Sequence, residues 1–382
     1  MAVPTPPGAA ARSTVTPVWS VDLRQFGGHG VVVDPAGGCL THTESALVSF
    51  TVDGRVRWQA PRLGPVHGNP QIAPDGSILQ LEGGDLVTRD GRSGQVVATF
   101  RAPSAHWITL DPWGGILFNE TVFDQAGKSS DILHRSDRSG GHTWSIALSS
   151  PASALPTVLG QLVLVHSGGL LRGIDSAGQV RMAVGHDGFQ PPQTTARDSG
   201  VADELWHRPQ WFGPTTILVG LRWYSSSRQL FLIDPWASAI TPFAQGLAPG
   251  EPLTTLPAGA AARVALRGDD RELREMEFEH SVVGLDETGR QVWQHWLHAP
   301  PTALLPGSGG TLFVAGSPSQ RRWDDYHRMQ DLSAQTYVRC LGPDGSPRWT
   351  WFAPGPQSQP QLGPDGTVYV VSQDTLYGLP GS

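Results

Sequence analysis

Two stretches of the chain combine aromatic, basic and acidic side chains that could support recognition or acid–base chemistry. One runs over 203–207 and continues at 222–224, where a predicted strand ends; the other runs over 321–328. Trp, Tyr and Arg beside carboxylates favour a binding surface, and converging His, Tyr and carboxylate groups can act as general acid and base. The candidate binding residues are Asp203, Trp206, His207, Arg222, Tyr224, Arg322, Trp323, Asp324, Asp325, Tyr326 and His327.

Motifs that would identify one reaction do not occur in this sequence. It contains no HExxH or GxSxG motif, and no Walker or GxGxxG element between a strand and a helix. His42, His166 and His327 fall at predicted strand ends or in loops, where distant histidines could gather around a metal. Nothing in their spacing selects a ligand set, so we assign no catalytic residues, no metal and no cofactor.

Composition limits the classes of partner and location. The 382 residues have a net charge of −7 and no basic block, so nucleic acid is not an expected partner. No apolar run approaches the roughly 18 residues of a membrane-spanning helix. Cys39 and Cys340 lie far apart in predicted strands, which favours two small buried side chains over a disulfide framework.

A glycine followed four residues later by a large apolar residue recurs along the chain. The spacing between these apolar positions runs from 38 to 58 residues, in the range of propeller or solenoid repeats. Each unit has three short predicted strands, a, b and c, before the strand d that contains the apolar position. The clearest pairs are Gly54 with Trp58, Gly140 with Trp144, Gly289 with Trp293 and Gly345 with Trp349, and the remaining apolar positions are Trp19, Ala98, Met182 and Ile240.

The two ends of the chain predict how the repeats close. Residues 347–379 supply strands a to c of a last unit, and residues 15–23 resemble a spare strand d. If the N-terminal strand completes the C-terminal sheet, seven internal units and one composite unit form an all-β propeller of eight blades, with seven blades as the alternative. We therefore expect a disordered lead-in over 1–14 and one propeller domain over 15–382.

Connection lengths predict two unlike faces of this propeller. The a-to-b and c-to-d connections are short turns, whereas the long connections all lie between strands b and c or between d and the next a. The long ones are 120–131, 185–207, 268–279 and 317–335. Because successive connections in an up-and-down sheet alternate between its ends, all four should leave one face, which we call the decorated face; the opposite face is the trimmed face. Function is usually found on such loops.

The segments GLDETGRQVW (284–293), TVDGRVRW (51–58) and PQLGPDGTVYVVSQDTLYGL (360–379) resemble repeats of the PQQ-like, or quinoprotein-like, β-propellers. The resemblance, BamB-like in repeat pattern, covers nearly the whole chain and is weakest over 185–280. It implies that Trp19, Trp58, Trp144, Trp293 and Trp349 pack between neighbouring blades. The vicinal cysteine pair of the quinone-binding dehydrogenases is absent, so the resemblance does not imply a bound quinone.

Together these features favour a non-catalytic propeller that binds a protein or peptide through the decorated face. The alternative is a lyase or hydrolase acting on a carbohydrate or peptide at the same face. A monomer is expected. The resemblance favours the cell envelope, whereas residues 1–17 lack the pattern of a signal peptide and favour the cytoplasm, so the location stays open.

Overall fold

The structure is a computed structural model that describes most residues of the chain. These are 14–23, 29–43, 45–102, 105, 107–127, 129–148, 156–167, 170–184, 204–212, 215–223, 227–235, 239–243, 250–256, 261–267, 279–297, 301–316, 322–323, 329–330, 335–354 and 358–381.

Within these residues the strands pair into eight four-stranded antiparallel sheets and one small hairpin. Seven sheets, blades 1 to 7, are each built from strands that follow one another along the chain. The eighth, the composite blade, joins strands from both ends: β1 (Trp19–Asp22), β32 (Gln361–Leu362), β33 (Val368–Ser372) and β34 (Thr375–Leu379).

The strands of the first four blades are short and separated by tight turns. Blade 1 contains β2 (His29–Val33), β3 (Cys39–His42), β4 (Ala46–Phe50) and β5 (Val56–Pro61), and blade 2 contains β6 (Val66–Ile72), β7 (Ile78–Glu82), β8 (Asp85–Arg89) and β9 (Val96–Arg101). Blade 3 contains β10 (Ile108–Leu110), β11 (Ile116–Phe123), β12 (Ser129–Ser136) and β13 (His142–Ala147), and blade 4 contains β14 (Thr157–Leu159), β15 (Leu162–Ser167), β16 (Leu170–Ile174) and β17 (Val180–Val184).

The remaining blades contain the longer connections. Blade 5 contains β18 (Glu204–Phe212), β19 (Thr216–Trp223), β20 (Ser227–Asp234) and β21 (Ala239–Phe243), and blade 6 contains β22 (Gly250–Thr255), β23 (Ala261–Arg267), β24 (Glu279–Leu285) and β25 (Gln291–Leu297). Blade 7 contains β26 (Pro301–Pro306), β27 (Leu312–Gly316), β30 (Gln335–Leu341) and β31 (Pro347–Pro354), with the hairpin β28 (Arg322–Trp323) and β29 (Met329–Gln330) between β27 and β30.

The predicted all-β propeller is confirmed. The helical structure in the described part of the chain is a single 3₁₀ turn at Ser308–Gly310. The charged segment 269–279 (DDRELREMEFE) has the best helical pattern in the sequence; its residues 269–278 lie outside the described residues, and Glu279 begins β24. No described helix has the length and apolar character needed to cross a bilayer.

Buried apolar side chains join each blade to the next and close the ring. Leu117 and Leu133 of blade 3, for example, pack with Val163 and Val165 of blade 4 in one fully buried cluster. The composite blade has such a cluster on both sides, one shared with blade 7 and one with blade 1. Since no single sheet buries both of its faces alone, the ring is the unit of stability.

The N-terminal strand completes the C-terminal sheet, as the sequence predicts. That sheet begins at Gln361 and not at residue 347, because Pro347–Pro354 pairs with β30 as the last strand of blade 7. In β1, Trp19 lies opposite Gly378 and Asp22 opposite Thr375, in antiparallel register with β34. The chain just before β1 also contacts blade 7, because the Val15 amide donates a hydrogen bond to the Thr350 carbonyl oxygen (3.2 Å). Residues 14–22 thus connect the composite blade with its neighbour. Residues 1–13 of the predicted lead-in lie outside the described residues.

The tryptophans of strand d dock on the next blade. In four of them the indole Nε1 donates to a carbonyl oxygen of the next blade: Trp19 to Val52 (2.7 Å), Trp58 to Gly91 (2.9 Å), Trp144 to Ser176 (3.1 Å) and Trp349 to Gly381 (3.3 Å). The ring of Trp293 lies against Gly345 in the same way, so close that a Cβ there would lie 2.6 Å from the ring. These contacts match the inter-blade role that the resemblance implies.

Blade 2 departs from the predicted repeat. The sequence pattern places Ala98 at the docking position, but the side chain that contacts the turn of blade 3 is Phe100. A Cβ added to Gly140 in that turn would lie 2.9 Å from the Cβ of Phe100. Ala98 and Phe100 are two residues apart in β9 and share one face of the strand. Met182 of blade 4 is buried at the predicted position, opposite Gly173.

Candidate functional site

The strand order confirms that long and short connections lie on opposite faces. In every described blade, at most six residues separate strands a and b or strands c and d. The longest connections are 185–203 between blades 4 and 5, 268–278 within blade 6 and the two segments around β28 and β29 within blade 7. These are d-to-a or b-to-c connections, which in an antiparallel up-and-down sheet reach the same face. The strand ends that flank these connections therefore lie on one face, the decorated face.

Part of the predicted binding set lies on described backbone. Trp206 and His207 are in β18, Arg222 is in β19, and Arg322 and Trp323 form β28. The side chains of these residues are not among those that the structure describes. Asp203, Tyr224, Asp324, Asp325, Tyr326 and His327 lie outside the described residues, so their role in a site stays a prediction.

The structure corrects one boundary in this set and brings two of its segments together. The sequence pattern places 204–207 in a loop, but Glu204–Phe212 is strand β18, because the segment pairs with β19 across blade 5. Glu204 lies opposite Arg222, and His207 lies opposite Gly220. The candidate residues of 206–207 and of 222 therefore lie at the same end of one sheet, on the decorated face.

A hairpin of blade 3 extends the decorated face. The sequence pattern predicts a loop over 120–131, but β11 and β12 continue in register until Phe123 lies opposite Ser129. The connection is thereby shortened to residues 124–128. The β-branched residues Thr121 and Val122 and the aromatic Phe123 favour this extension. Phe123, next to the tip, is 71% exposed, the largest fraction among the exposed large apolar side chains of the described residues.

The base of this hairpin is held by buried polar contacts. Asp131 of β12 is 5% exposed and accepts a hydrogen bond from the Thr121 hydroxyl (2.8 Å), while its backbone oxygen accepts from the Leu148 amide (2.8 Å). A buried carboxylate that is hydrogen-bonded in this way fixes the strands around it. The hairpin therefore presents Phe123 on a rigid base.

The turns of the trimmed face satisfy their own polar groups. In the turn of blade 3 the Ser139 hydroxyl donates to Asp137 Oδ1 (2.6 Å), and in that of blade 6 the Thr288 hydroxyl donates to Asp286 Oδ1 (2.6 Å). These hydroxyl hydrogen bonds, with backbone amides as further donors, hold the pKa of both carboxyls below the usual range. Their hydrogen-bonding capacity is used to close turns.

A cleft of about 550 Å³ opens on the trimmed face between blades 1 and 2. Its main charges are paired within the protein. Arg57 Nη1 lies 2.7 Å from Asp34 Oδ2, and Arg138 of blade 3 forms an ion pair with Asp75. The Arg138 Nε also donates to the Gly114 carbonyl oxygen (3.0 Å). This charge pairing serves contacts between turns, and we assign no ligand to the cleft.

The histidine and cysteine candidates are dispersed. His166 is 2% exposed in β15, and burial, with a smaller effect of Arg172, lowers its pKa to about 4. Cys39 and Cys340 are buried free thiols in different inter-blade clusters, as predicted, and burial raises the pKa of Cys340 to about 11. In the part of the chain that is described, no three His, Cys, Asp or Glu side chains converge in a way that could hold a metal.

Solved structures with the same architecture define the class of protein. Over 96% of this chain and 97% of the other, BamB from Moraxella catarrhalis superposes with a TM-score of 0.61 at 16% identity. Sqt1 from Saccharomyces cerevisiae gives 0.60 at 10% identity over 97% and 100% of the chains, and the Dos1 propeller gives 0.59 at 10% over 95% of both.

These comparisons, with the fold above, show that the chain is a β-propeller with a BamB-like fold. At identities this low the likeness establishes the fold alone. No protein-family model matches the chain, and no curated protein matches its sequence. Membership of the PQQ-like repeat family therefore stays a prediction.

Proposed function

We propose that this chain is a propeller that binds a protein or peptide partner through its decorated face. The observation that supports this most directly is Phe123, 71% exposed near the tip of the hairpin β11–β12. Exposing a phenylalanine to water is unfavourable by a few kcal/mol relative to burial. Aromatic residues on rigid supports are typical anchors of protein interfaces.

The unequal faces give a second line of support. Charged and polar groups of the trimmed-face turns are bonded within their own turns or to neighbouring turns, whereas the strand ends that flank the long connections of blades 5, 6 and 7 lie at the opposite face. Recognition commonly resides on loops that a rigid scaffold positions. The connection of blade 7 has the composition of a protein-binding surface, because Trp323 and Tyr326 lie among arginines and carboxylates in the segment 321–328.

Site-specific photocrosslinking tests the proposal. A photoreactive phenylalanine analogue at position 123 should crosslink to a discrete partner in cells that express the chain. The same analogue at Ala177, exposed in a trimmed-face turn, is the matched control. The same crosslinked partner in the same yield from both positions would contradict binding through the decorated face.

The crosslinked partner then allows affinity to be measured. Phe123→Ala should weaken binding to the purified partner by about 30-fold, which corresponds to roughly 2 kcal/mol for a central aromatic anchor. Ala177→Ser should leave the affinity unchanged. Unaltered affinity in Phe123→Ala would remove the hairpin from the interface.

A further inference from the structure

Four polar side chains of blade 3 form one continuous hydrogen-bonded chain. His142 Nε2 lies 2.6 Å from Ser145 Oγ, and Ser145 Oγ lies 2.8 Å from His134 Nδ1. The other ring nitrogen of His134, Nε2, lies 3.0 Å from Glu120 Oε2. The two distances to His134 are within the normal range for hydrogen bonds between N and O, and the distance from His142 to Ser145 is slightly shorter.

The chemistry of the four groups fixes the direction of these bonds. A carboxylate only accepts, so His134 Nε2 holds the proton that is shared with Glu120. In the neutral ring His134 Nδ1 is then an acceptor, and the Ser145 hydroxyl donates to it. The lone pairs of Ser145 Oγ are left to accept from His142 Nε2. A serine, a histidine base and a carboxylate that orients the base are thereby arranged as in nucleophilic catalysis.

Strand pairing holds these groups on one face of the sheet. Phe118 lies opposite His134, and His134 lies opposite Ser145, across β11, β12 and β13. Glu120 is two residues beyond Phe118 and shares its face. Because three paired strands supply the set, the distances are fixed by backbone hydrogen bonds.

The base is held in place while the nucleophile is accessible. The His134 ring stacks on Phe118 with centroids 5.1 Å apart and an interplanar angle of 20°, and its side chain is 16% exposed. Ser145 is exposed on β13, the outermost strand of the blade. Phe100 of blade 2 lies 6.4 Å from Phe118, so an aromatic wall borders the cluster.

We propose that Ser145 is an activated nucleophile that accepts the acyl group of a small ester. The acyl or aryl part of this ester is apolar. The Ser145 Oγ attacks the carbonyl carbon while its proton moves to His134 Nδ1. The ester C–O bond breaks, and the leaving alkoxide takes that proton from His134. A water molecule then attacks the acyl carbon while its proton moves to His134 Nδ1; the acyl–Oγ bond breaks, Ser145 Oγ takes the proton back from His134, and the carboxylic acid is released.

The other two members of the chain have distinct roles in this step. His142, on the far side of Oγ, can donate its N–H to the oxyanion that develops on the substrate. Glu120 does not touch the reacting atoms; it is a positioning residue that holds His134 in the tautomer with an unprotonated Nδ1. This activity is independent of partner binding at the decorated face.

A fluorophosphonate probe tests the nucleophile directly, because Oγ displaces fluoride and forms a stable Oγ–P bond. Mass spectrometry of the labelled full-length chain should place the adduct on Ser145. Ser145→Ala should abolish labelling, as well as hydrolysis of p-nitrophenyl butyrate, whereas Ser139→Ala, at an exposed serine six residues away, should retain both. His134→Ala should slow labelling about 100-fold or more.

Two comparisons separate this role from a structural one. Glu120→Asp, which keeps the carboxylate, should retain more labelling than Glu120→Gln, although glutamine is the better match in size. Far-ultraviolet circular dichroism should show the same β-structure in each variant. Labelling that spares Ser145, or that proceeds equally fast in His134→Ala, would overturn the proposal.

Discussion

Gly94 of blade 2 lies directly beneath the indole of Trp58 of blade 1. A Cβ on Gly94 would lie 2.6 Å from Trp58 Cε3, and the glycine has φ of +72°. The glycine and the tryptophan of one sequence repeat, four residues apart, therefore belong to two different interfaces. Gly54, Gly178 and Gly345 receive the tryptophan ring of the preceding blade in the same way.

Gly94→Ala should destabilise the protein more than Gly76→Ala. Both glycines have positive φ, which costs about 1–2 kcal/mol for a residue with a Cβ. A Cβ on Gly76 would meet nothing within 4 Å, whereas one on Gly94 would meet the Trp58 ring. We expect Gly94→Ala to lower the free energy of unfolding by about 1–3 kcal/mol more than Gly76→Ala does, as measured by urea denaturation. Equal losses would show that the ring contact does not matter.

Trp293→Ala should lower the free energy of unfolding by about 3–5 kcal/mol. The ring packs against the buried cluster between blades 6 and 7 and against Gly345, so its removal leaves a cavity at that interface. Val292→Ala, at a neighbouring side chain that is 52% exposed, should cost little. Thermal and urea unfolding check both, and a stable Trp293→Ala variant would disprove the docking role.

The buried ion pair between Glu82 and Arg89 should be costly to break. Arg89 Nη2 lies 3.0 Å from Glu82 Oε2 and donates to the Pro61 carbonyl oxygen of blade 1 (2.8 Å), while the two side chains are 0% and 2% exposed. Glu82→Gln leaves the cation buried without its counter-ion, and we expect a loss of about 3–5 kcal/mol.

An exposed ion pair provides the control for this prediction. Arg55 pairs with Asp53 at 3.0 Å, but the Arg55 side chain is 85% exposed, so Arg55→Gln should cost at most about 1 kcal/mol. The double variant Glu82→Leu/Arg89→Met should be more stable than Glu82→Gln alone, since it removes both charges. Similar losses for the buried and the exposed pair would refute the argument.

Stability should fall in mild acid because of His166. Its pKa is lowered from 6.5 to about 4 in the folded state, chiefly by burial, so the unfolded chain takes up the proton first as the pH falls. The free energy of unfolding should therefore decrease between about pH 6.5 and pH 4, by roughly 3 kcal/mol in total. His166→Gln should flatten this part of the pH profile. An unchanged slope would show that another group dominates.

The local pattern of this chain was sufficient to predict its repeats. Turn glycines, alternating β-branched residues and a tryptophan in strand d are signals within some ten residues, and they correctly predicted all-β units and a composite blade at the chain ends. The sequence pattern predicted Ala98 at the docking position, whereas Phe100 occupies it. The pattern does not distinguish these two residues, because they share one face of the strand. Which of them meets Gly140 depends on the neighbouring blade.

The candidate sites depended on information that is not local. The segment 120–131 looks like a loop in sequence, and only its pairing in register over β11 and β12 makes it a hairpin that exposes Phe123. Glu120, His134 and Ser145 are separated by up to 25 residues, and no motif connects them. Their convergence arises from antiparallel register, which sets which side chains lie side by side across strands.

By itself the sequence determined the repeat, the strand content and the division into a trimmed and a decorated face, because these follow from turn chemistry and connection lengths along the chain. Only the tertiary structure decided which glycine receives which tryptophan, which polar groups meet on blade 3 and which charges are buried in pairs. These are contacts between strands and between blades, and they form together when the burial of apolar side chains closes the ring.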